Sequence, residues 1–486
     1  MANGIIARQR DAAALAVSAT AQNAPCYIGQ APIWQKDDAN WKNLAGKTIL
    51  AKSISDVREQ LGYAKPASGA WPKEFSLCMA AFYHTNVEKI LPIILINNSA
   101  AITESENATE TAITFINGGA KIASPYVVLN TLSIVVGSGG STETKTKGTD
   151  YTAIYDEDGQ NVIITALTSM TAATASYKTV DPAALAFSKD TYDEVDYIGQ
   201  NTGFIPTTLA APLWDNVIDS ASSKVMNKIA EICEGVVDKH WYCEAFGNLS
   251  SATRSGALTE KENISSAKMK VCWPYAKVGS YIYPVSLIFS ARRQNIDTGN
   301  DGVPYESASN EFIDITNLCD SAGNLIKQLE LEADSLNEHG IATMAFTTAM
   351  QWRTWGVCMA NYSEAGRGSI PPNKLNDVAV QMMDYICNDF EKRYGDMVHK
   401  PMSMRAVNDI LSSFSYILNG LISDGMLIAG KIAFEPSENN TANLADGQFT
   451  YSIEETNTPP AKAIIGNVTY DSDALDTYFS EIGGEE

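Results

Sequence analysis

No run of eighteen or more apolar residues occurs in the sequence, so it offers no helix long and apolar enough to cross the hydrocarbon of a bilayer. Histidine is scarce, four residues in 486, and none of the eight cysteines (Cys26, Cys78, Cys233, Cys243, Cys272, Cys319, Cys358, Cys387) forms a CxxC pair. That removes the common zinc frameworks. In a chain long enough to build cores without staples, these thiols are expected to be reduced and mostly buried. Neither GxSxG, GxxxxGK[ST] nor HExxH is present, which excludes a nucleophile elbow, a phosphate-cradling P-loop and a zincin helix. Positive charge is also short, with 35 Lys and Arg against 57 Asp and Glu and a net charge of −22. Such a balance disfavours nucleic acid and anionic membranes as partners, because neutralising phosphate needs clustered cations.

What is present fills several cores. With 486 residues, 45% of them hydrophobic, two to four domains are expected. Met1 to Gln22 is Ala-rich, and its apolar block Ala12 to Val17 is too short and too interrupted for a signal peptide. Gly4 to Gln9 has the composition of a short strand, followed by an Ala/Ser/Thr/Asn stretch that reads as an extended arm. Cys26 to Gly29 looks like a buried strand ending at Ala31-Pro32, Ile54 to Leu61 and Phe75 to Phe82 like helices, and Leu91 to Ile96 like a core strand.

Between Asn97 and Phe187 Trp and Cys disappear and alternation of period two takes over. The runs Thr111 to Ile116, Tyr126 to Leu129, Leu132 to Val136, Tyr151 to Tyr155, Val162 to Ala166 and Ala175 to Val180 predict a small inserted β-sandwich or barrel, with a hairpin at Asp156-Glu157-Asp158-Gly159. From Tyr197 the pattern returns to strand and helix: a strand over Gly203 to Ala211, a helical stripe from Val217 to Val236, strands at Trp241 to Phe246 and Val285 to Phe289. A helix over Leu325, Leu329, Ala333 and Leu336 then leads into a strand at Ile341 to Phe346, and another helix carries Leu375 to Phe390. This alternation predicts a mostly parallel sheet covered on both faces.

Near the C-terminus, apolar residues from Met404 to Ile422 recur at three- and four-residue steps, with Ser403 placed to cap the helix and Gly425 to end it. The period then changes to two. Ile428, Gly430, Ile432 and Phe434 are expected on one face of a strand, and Phe449, Tyr451 and Ile453 on one face of another. After Pro459-Pro460 stiffens the chain, Ala463 to Tyr470 reads as a third strand that leaves the body. The two ends differ in charge: Arg8 and Arg10 lie at one, while Asp471, Asp473, Asp476, Glu481, Glu485 and Glu486 make the other wholly acidic. They read as solvated tails or as a means of steering one copy onto another.

No constellation of residues assembles a catalytic site. Cys233, His240 and Cys243 fall at helical steps without a fourth ligand and read as buried thiols beside an ordinary histidine. His339-Gly340 reads as a helix stop, Trp352 and Trp355 as core or interface aromatics, and the Asp156 to Asp158 cluster as a solvated hairpin tip rather than a calcium loop. An assembly role is the reading that remains.

The sequence resembles the contractile tail sheath proteins of bacteriophages and related injection particles, including tailocins. Tyr27-Ile28-Gly29-Gln30-Ala31-Pro32 is similar to the family's opening strand and turn, and Gly148-Thr149-Asp150-Tyr151 with Asp158-Gly159 to its inserted sandwich. Ala333-Asp334-Ser335-Leu336-Asn337, Gly340-Ile341 and Trp355-Gly356 resemble the middle of its α/β domain, and Pro401-Met402, Asn419, Gly425, Gly430 and Pro459-Pro460 its C-terminal domain. Two departures are local: a proline missing before Ser307-Ala308-Ser309-Asn310, and Val357-Cys358-Met359 where a basic residue is common. The resemblance implies an α/β (α+β) multidomain subunit with extended arms at both ends. Its parts would be an N-terminal arm (1–23), part of an α/β core (24–97), the inserted β-sandwich (98–190), a non-catalytic α/β domain of subtilisin-like fold (191–393), a C-terminal sheath domain (394–457) and a C-terminal arm (458–486).

As function it implies a virion structural protein assembled in the host cytoplasm into stacked six-subunit rings around a tail tube. Baseplate and tail terminator proteins would be further partners, with no cofactor, metal, nucleic acid or membrane insertion. Gly4, Ile5, Ile6, Ala7 and Arg8 at one end, and Ile464, Ile465, Val468 and Tyr470 at the other, are the expected donated strands. Ile428, Ile432, Phe434, Phe449, Tyr451 and Ile453 are the expected acceptor sheet. A baseplate component or an α/β hydrolase are the alternatives.

Overall fold

The computed structural model describes residues 22–138, 141–235 and 241–482. Its centre is an eight-stranded sheet with the order Thr48–Ala51, Ile93–Asn97, Gln22–Gly29, Phe204–Ala210, Glu244–Asn248, Met269–Cys272, Ile341–Phe346 and Trp352–Trp355. The six inner strands run parallel, and only the two edges are antiparallel to their neighbours. Every side chain of Ile93–Asn97 is buried. Since successive side chains point to opposite faces, both faces of the sheet are covered there. Pairing of Gln22–Gly29 with both Phe204–Ala210 and Ile93–Asn97 makes the opening strand a central one.

Residues 109–177 carry two antiparallel sheets, one of three strands (Gly119–Ile122, Val162–Ala166, Tyr151–Tyr155) and one of four (Thr109–Thr114, Ala172–Tyr177, Ser133–Ser138, Ser141–Lys145). Their inward residues, among them Ile113, Ile122, Ile134, Tyr151, Val162 and Ala175, form one cluster separate from the main core. Instead of the Tyr126 to Leu129 strand expected from sequence, the structure has a short 3-10 turn with one isolated bridge. At the Asp156-Glu157-Asp158-Gly159 tip Glu157 and Asp158 are exposed as expected of a solvated turn, but the end of the tip is seated on the body. Gly159 is buried, its carbonyl accepts from Gln35 Nε2 at 2.9 Å, Lys65 pairs with Asp158 at 2.9 Å, and the Lys65 backbone N–H donates to Asp158. With φ at +63° and the carbonyl oxygen of Tyr63 only 1.9 Å from where a Cβ would stand, nothing larger than glycine fits.

Several expected elements change type or extent. Val285 to Phe289 opens the helix Val285–Gly299, not a strand. Its first five residues are all buried, and a run buried on every side carries no helical period to read. The helical stripe from Val217 shrinks to Val225–Glu234, because the Asp219 carboxylate takes the backbone N–H groups of Ala221 and Ser223 and holds a turn in its place. Leu325–Ile326 joins a five-stranded sheet that includes Tyr275–Val278 and Tyr281–Pro284, and the helix expected there starts only at Glu330. By contrast Ile54–Leu61, Tyr151–Tyr155, Val162–Ala166 and Ile341–Phe346 form with the expected bounds.

Candidate functional site

The helices Asp377–Tyr394 and Met404–Ser423 and one hairpin form the packed part of the C-terminal region. Met404–Ser423 begins where Ser403 Oγ accepts the Ala406 N–H at 3.3 Å and stops at Gly425, whose φ is +76°. Its apolar stripe, Val407, Ile410, Phe414, Leu418 and Leu421, is buried, each side chain contributing roughly 1.5–3 kcal/mol. The chain turns back as Leu427–Ala433, which pairs antiparallel with Ser452–Asn457. A Cβ at Gly430 would stand 3.3 Å from Leu418, so the glycine lets the strand lie close against the helix.

Of the expected acceptor residues, Ile432 and Ile453 pair across the strands and pack on the helix cluster. Ile428 does not share their face. A register shift between Leu427 and Ala429 turns Leu427 inward and leaves Ile428 exposed, as an extra residue in one strand of a pair must. Phe434, Phe449 and Tyr451 lie just outside the strands, where Phe434 packs on Tyr451 at 5.4 Å and on Phe449 at 6.5 Å between ring centroids. With two strands only, each keeps one edge unpaired among the described residues.

Just beyond Pro459-Pro460 Lys462 ties the chain to the body. Lys462 Nζ donates to the Tyr362 hydroxyl at 2.7 Å and to Glu364 at 3.1 Å, and sits 4.7 Å from the Tyr362 ring centre. From Ala463 to Tyr470 there is no strand, and Ile464, Ile465, Val468 and Tyr470 are exposed, Val468 to 98%. The donor candidates Gly4, Ile5, Ile6, Ala7 and Arg8 lie outside the described residues.

The helix Asp377–Tyr394 joins this region to the main sheet with two faces. Val378, Met382 and Ile386 share a cluster with Phe414 and Leu418. Asp377, Gln381 and Asp384 meet Lys270, Glu244 and Lys268 at the start of the sheet strands. Lys270 Nζ lies 2.8 Å from Asp377, both side chains being sealed from solvent. Ser307 donates to the same carboxylate at 2.7 Å, and Lys270 also reaches the carbonyl of Gly356 at 3.1 Å. Burial pushes Glu244 up to about 7 against the pull of Lys270, and Asp384 up to about 6 against Lys268. Sequence reasoning missed this network, because a lone Lys in an apolar strand and an Asp at a helix start look like surface charges.

Among the other candidates, Cys233 and Cys243 bring their sulfurs to 3.3 Å in a buried setting, with Cys243 raised well above the ordinary thiol range by burial. His240 lies outside the described residues. No group of three or more His, Cys, Asp or Glu stands ready for a metal among the described residues. His339 bonds the Ser335 carbonyl at 2.8 Å at its helix end, Trp352 packs on Phe346 at 5.3 Å, and Trp355 donates to Asp334 at 2.7 Å.

No protein-family profile matches the chain. The tail sheath protein of Burkholderia phage BcepMu is 24% identical over 418 residues, which are 81% of this chain and 83% of that protein. Among solved structures, a chain of the anti-feeding prophage baseplate superposes with a TM-score of 0.55 at 15% identity, covering 97% of this chain and 99% of its own. A chain of the anti-feeding prophage helical sheath in its contracted state does so with 0.54 at 15% identity and the same coverage.

Proposed function

We propose that this chain, which resembles contractile tail sheath proteins in sequence and in fold, is a structural subunit of a contractile tail sheath and not an enzyme. Subunits polymerise around a tail tube, hold an extended state, and contract to drive the tube through a bacterial envelope. Residues 98–190, which hold the two sheets of residues 109–177, are read as the inserted β-sandwich of such a subunit, and 458–486 as its C-terminal arm. The observation that carries the assembly mechanism is the apolar segment Ile464, Ile465, Val468 and Tyr470, solvated in the isolated subunit, in a chain whose two-stranded C-terminal sheet has unpaired edges among the described residues.

A β-edge accepts an extended segment as an added strand, and in an assembly that segment comes from a neighbouring copy. Each donated strand adds roughly four to six backbone hydrogen bonds at about 1 kcal/mol net, so one is reversible and a lattice of them is not. The arm swings on the residues either side of the stiff Pro459-Pro460 pair while the paired strands stay bonded. Subunit bodies then rotate and slide into tighter packing without the polymer coming apart, a rigid-body switch driven by body-to-body surfaces. The N-terminal residues Gly4 to Arg8 donate in the same way. Tube, baseplate and terminator proteins are the further partners, in a virion tail assembled in the host cytoplasm.

Electron microscopy of the purified full chain, with and without residues 459–486, tests this reading. Tubes or stacked rings from the full chain and soluble monomers from the truncation are the expected results. Monomers from the full chain at every concentration and salt, or unchanged tubes from the truncation, overturn it.

A further inference from the structure

The last helix, Asp473–Ile482, lies beyond the arm and has no core of its own. Leu475, Tyr478 and Phe479 fall at the i, i+3, i+4 positions of one face, the rings of Tyr478 and Phe479 pack on each other at 5.4 Å, and every residue from Asp471 to Ser480 is exposed. A ten-residue helix is marginal in water without a surface to cover its apolar face. The flanking charge is of one sign: Asp471, Asp473, Asp476 and Glu481 are present, and no Lys or Arg follows Lys462.

That charge argues against two of the exposed apolar positions elsewhere on the subunit. Leu329 and Leu331 are interleaved with Glu330 and Glu332, and Ile154 precedes the acidic turn Asp156-Glu157-Asp158, so both would repel the helix. The segment between the two C-terminal helices has the opposite character. It exposes Val398 to 64% and Met404 to 77%, carries His399, Lys400 and Arg405, and has no Asp or Glu from Met397 to Asn408. The Arg405 side chain is 91% exposed and pairs only loosely with Asp409, at 3.8 Å.

We propose that the helix Asp473–Ile482 of one copy docks through Leu475, Tyr478 and Phe479 on the Val398 to Arg405 segment of a second copy. This deepens the sheath reading and rests on it, because the strand donated to the neighbour ends at Tyr470, three residues before the helix. Those residues span about 10 Å. On the receiving copy the strand Leu427–Ala433 runs back along Met404–Ser423 from the turn at Gly425. Seven strand residues cover about 23 Å and twenty helical ones about 30 Å. The Ala433 end of the acceptor sheet therefore stops about 7 Å short of Met404 along the helix axis, and with about 10 Å between the packed layers the two ends stand about 12 Å apart, less than the about 15 Å length of the ten-residue helix. A strand that adds to the sheet and emerges at that end delivers its helix there. Apolar contact holds it, and opposite charge sets its partner and speeds encounter.

The test uses full-length chain carrying the photocrosslinker benzoylphenylalanine in place of Phe479, assembled from a mixture of ¹⁴N- and ¹⁵N-labelled subunits. Mass spectrometry is expected to find the light 479 peptide joined to the heavy 397–405 peptide. Joining only within one isotope means that the helix folds onto its own copy, and joining to any other segment, or to none, places it elsewhere; each overturns the proposal. The double variant Lys400→Glu/Arg405→Glu should raise the critical concentration for assembly about tenfold at low salt, and adding Asp473→Lys/Asp476→Lys should restore it. An unrestored defect counts against the docking. Tubes that form without the crosslink refute this docking alone, whereas a chain that never assembles refutes the sheath reading and this one together.

Discussion

Replacing Lys270 by Met removes one half of the sealed ion pair on which the helix Asp377–Tyr394 sits. The ammonium is 2.8 Å from Asp377, with 1% and 0% of the two side chains exposed. Without it, Asp377 keeps the Ser307 hydroxyl at 2.7 Å and the Val378 N–H at 2.9 Å, but no countercharge in contact. Stranding a buried charge in this way costs about 3–5 kcal/mol, a large part of the roughly 5–15 kcal/mol that holds a domain folded. Asp377→Asn takes the contacting carboxylate from the ammonium but leaves Glu244 near it, so it should cost less than Lys270→Met.

The double variant Lys270→Met/Asp377→Asn removes both charges of the pair and leaves only Glu244, already raised to about 7 by burial, without the pull of Lys270, so it should cost less than the sum of the singles by about 2 kcal/mol or more. Urea unfolding followed by tryptophan fluorescence measures all three against the parent. Because Val378, Met382 and Ile386 of the same helix hold Phe414 and Leu418, the single variants should also admit protease between Val398 and Ser403. Single variants within about 1 kcal/mol of the parent, or a double variant as costly as the two singles added, would refute the view that this pair fixes the helix on the sheet.

Gly159→Ala should destabilise by more than about 2 kcal/mol by forcing the hairpin tip off Tyr63, whereas Gly118→Ala, also at positive φ but with open space around it, should cost only about 1 kcal/mol in thermal denaturation. Burial raises the Asp215 carboxyl from its ordinary 3.8 to about 8. Between those values the folded chain holds a proton that the unfolded chain has lost, so stability falls as pH rises, by at most about 1.4 kcal/mol per pH unit. Asp215→Asn should flatten that fall when urea midpoints are compared at pH 5 and pH 8, and an unchanged slope would exclude Asp215 as its source. Ile465→Pro or Val468→Pro should leave the monomer's stability untouched and abolish tubes under the electron microscope; normal tubes would mean that the segment pairs with nothing.

Local pattern determined those elements that meet solvent on one side and core on the other. Met404–Ser423, with its cap, its stripe and its glycine stop, was legible because amphipathicity writes a period into the residues, as was the alternation of Tyr151–Tyr155 and Val162–Ala166. The same sequence made the last thirty residues an apolar segment followed by an acidic end, and withheld every common catalytic or metal motif. Only the tertiary structure decided that Val285–Gly299 is a helix, since burial on all sides erases the period. It also decided that one extra residue turns Ile428 away from Ile432, that the Gly159 tip is seated against Tyr63, and that Lys270 and Asp377, more than a hundred residues apart, face each other without water. The physical reason is common to all four: each depends on what lies across a contact from the residue, and a linear sequence records neighbours along the chain but not the neighbours that folding supplies.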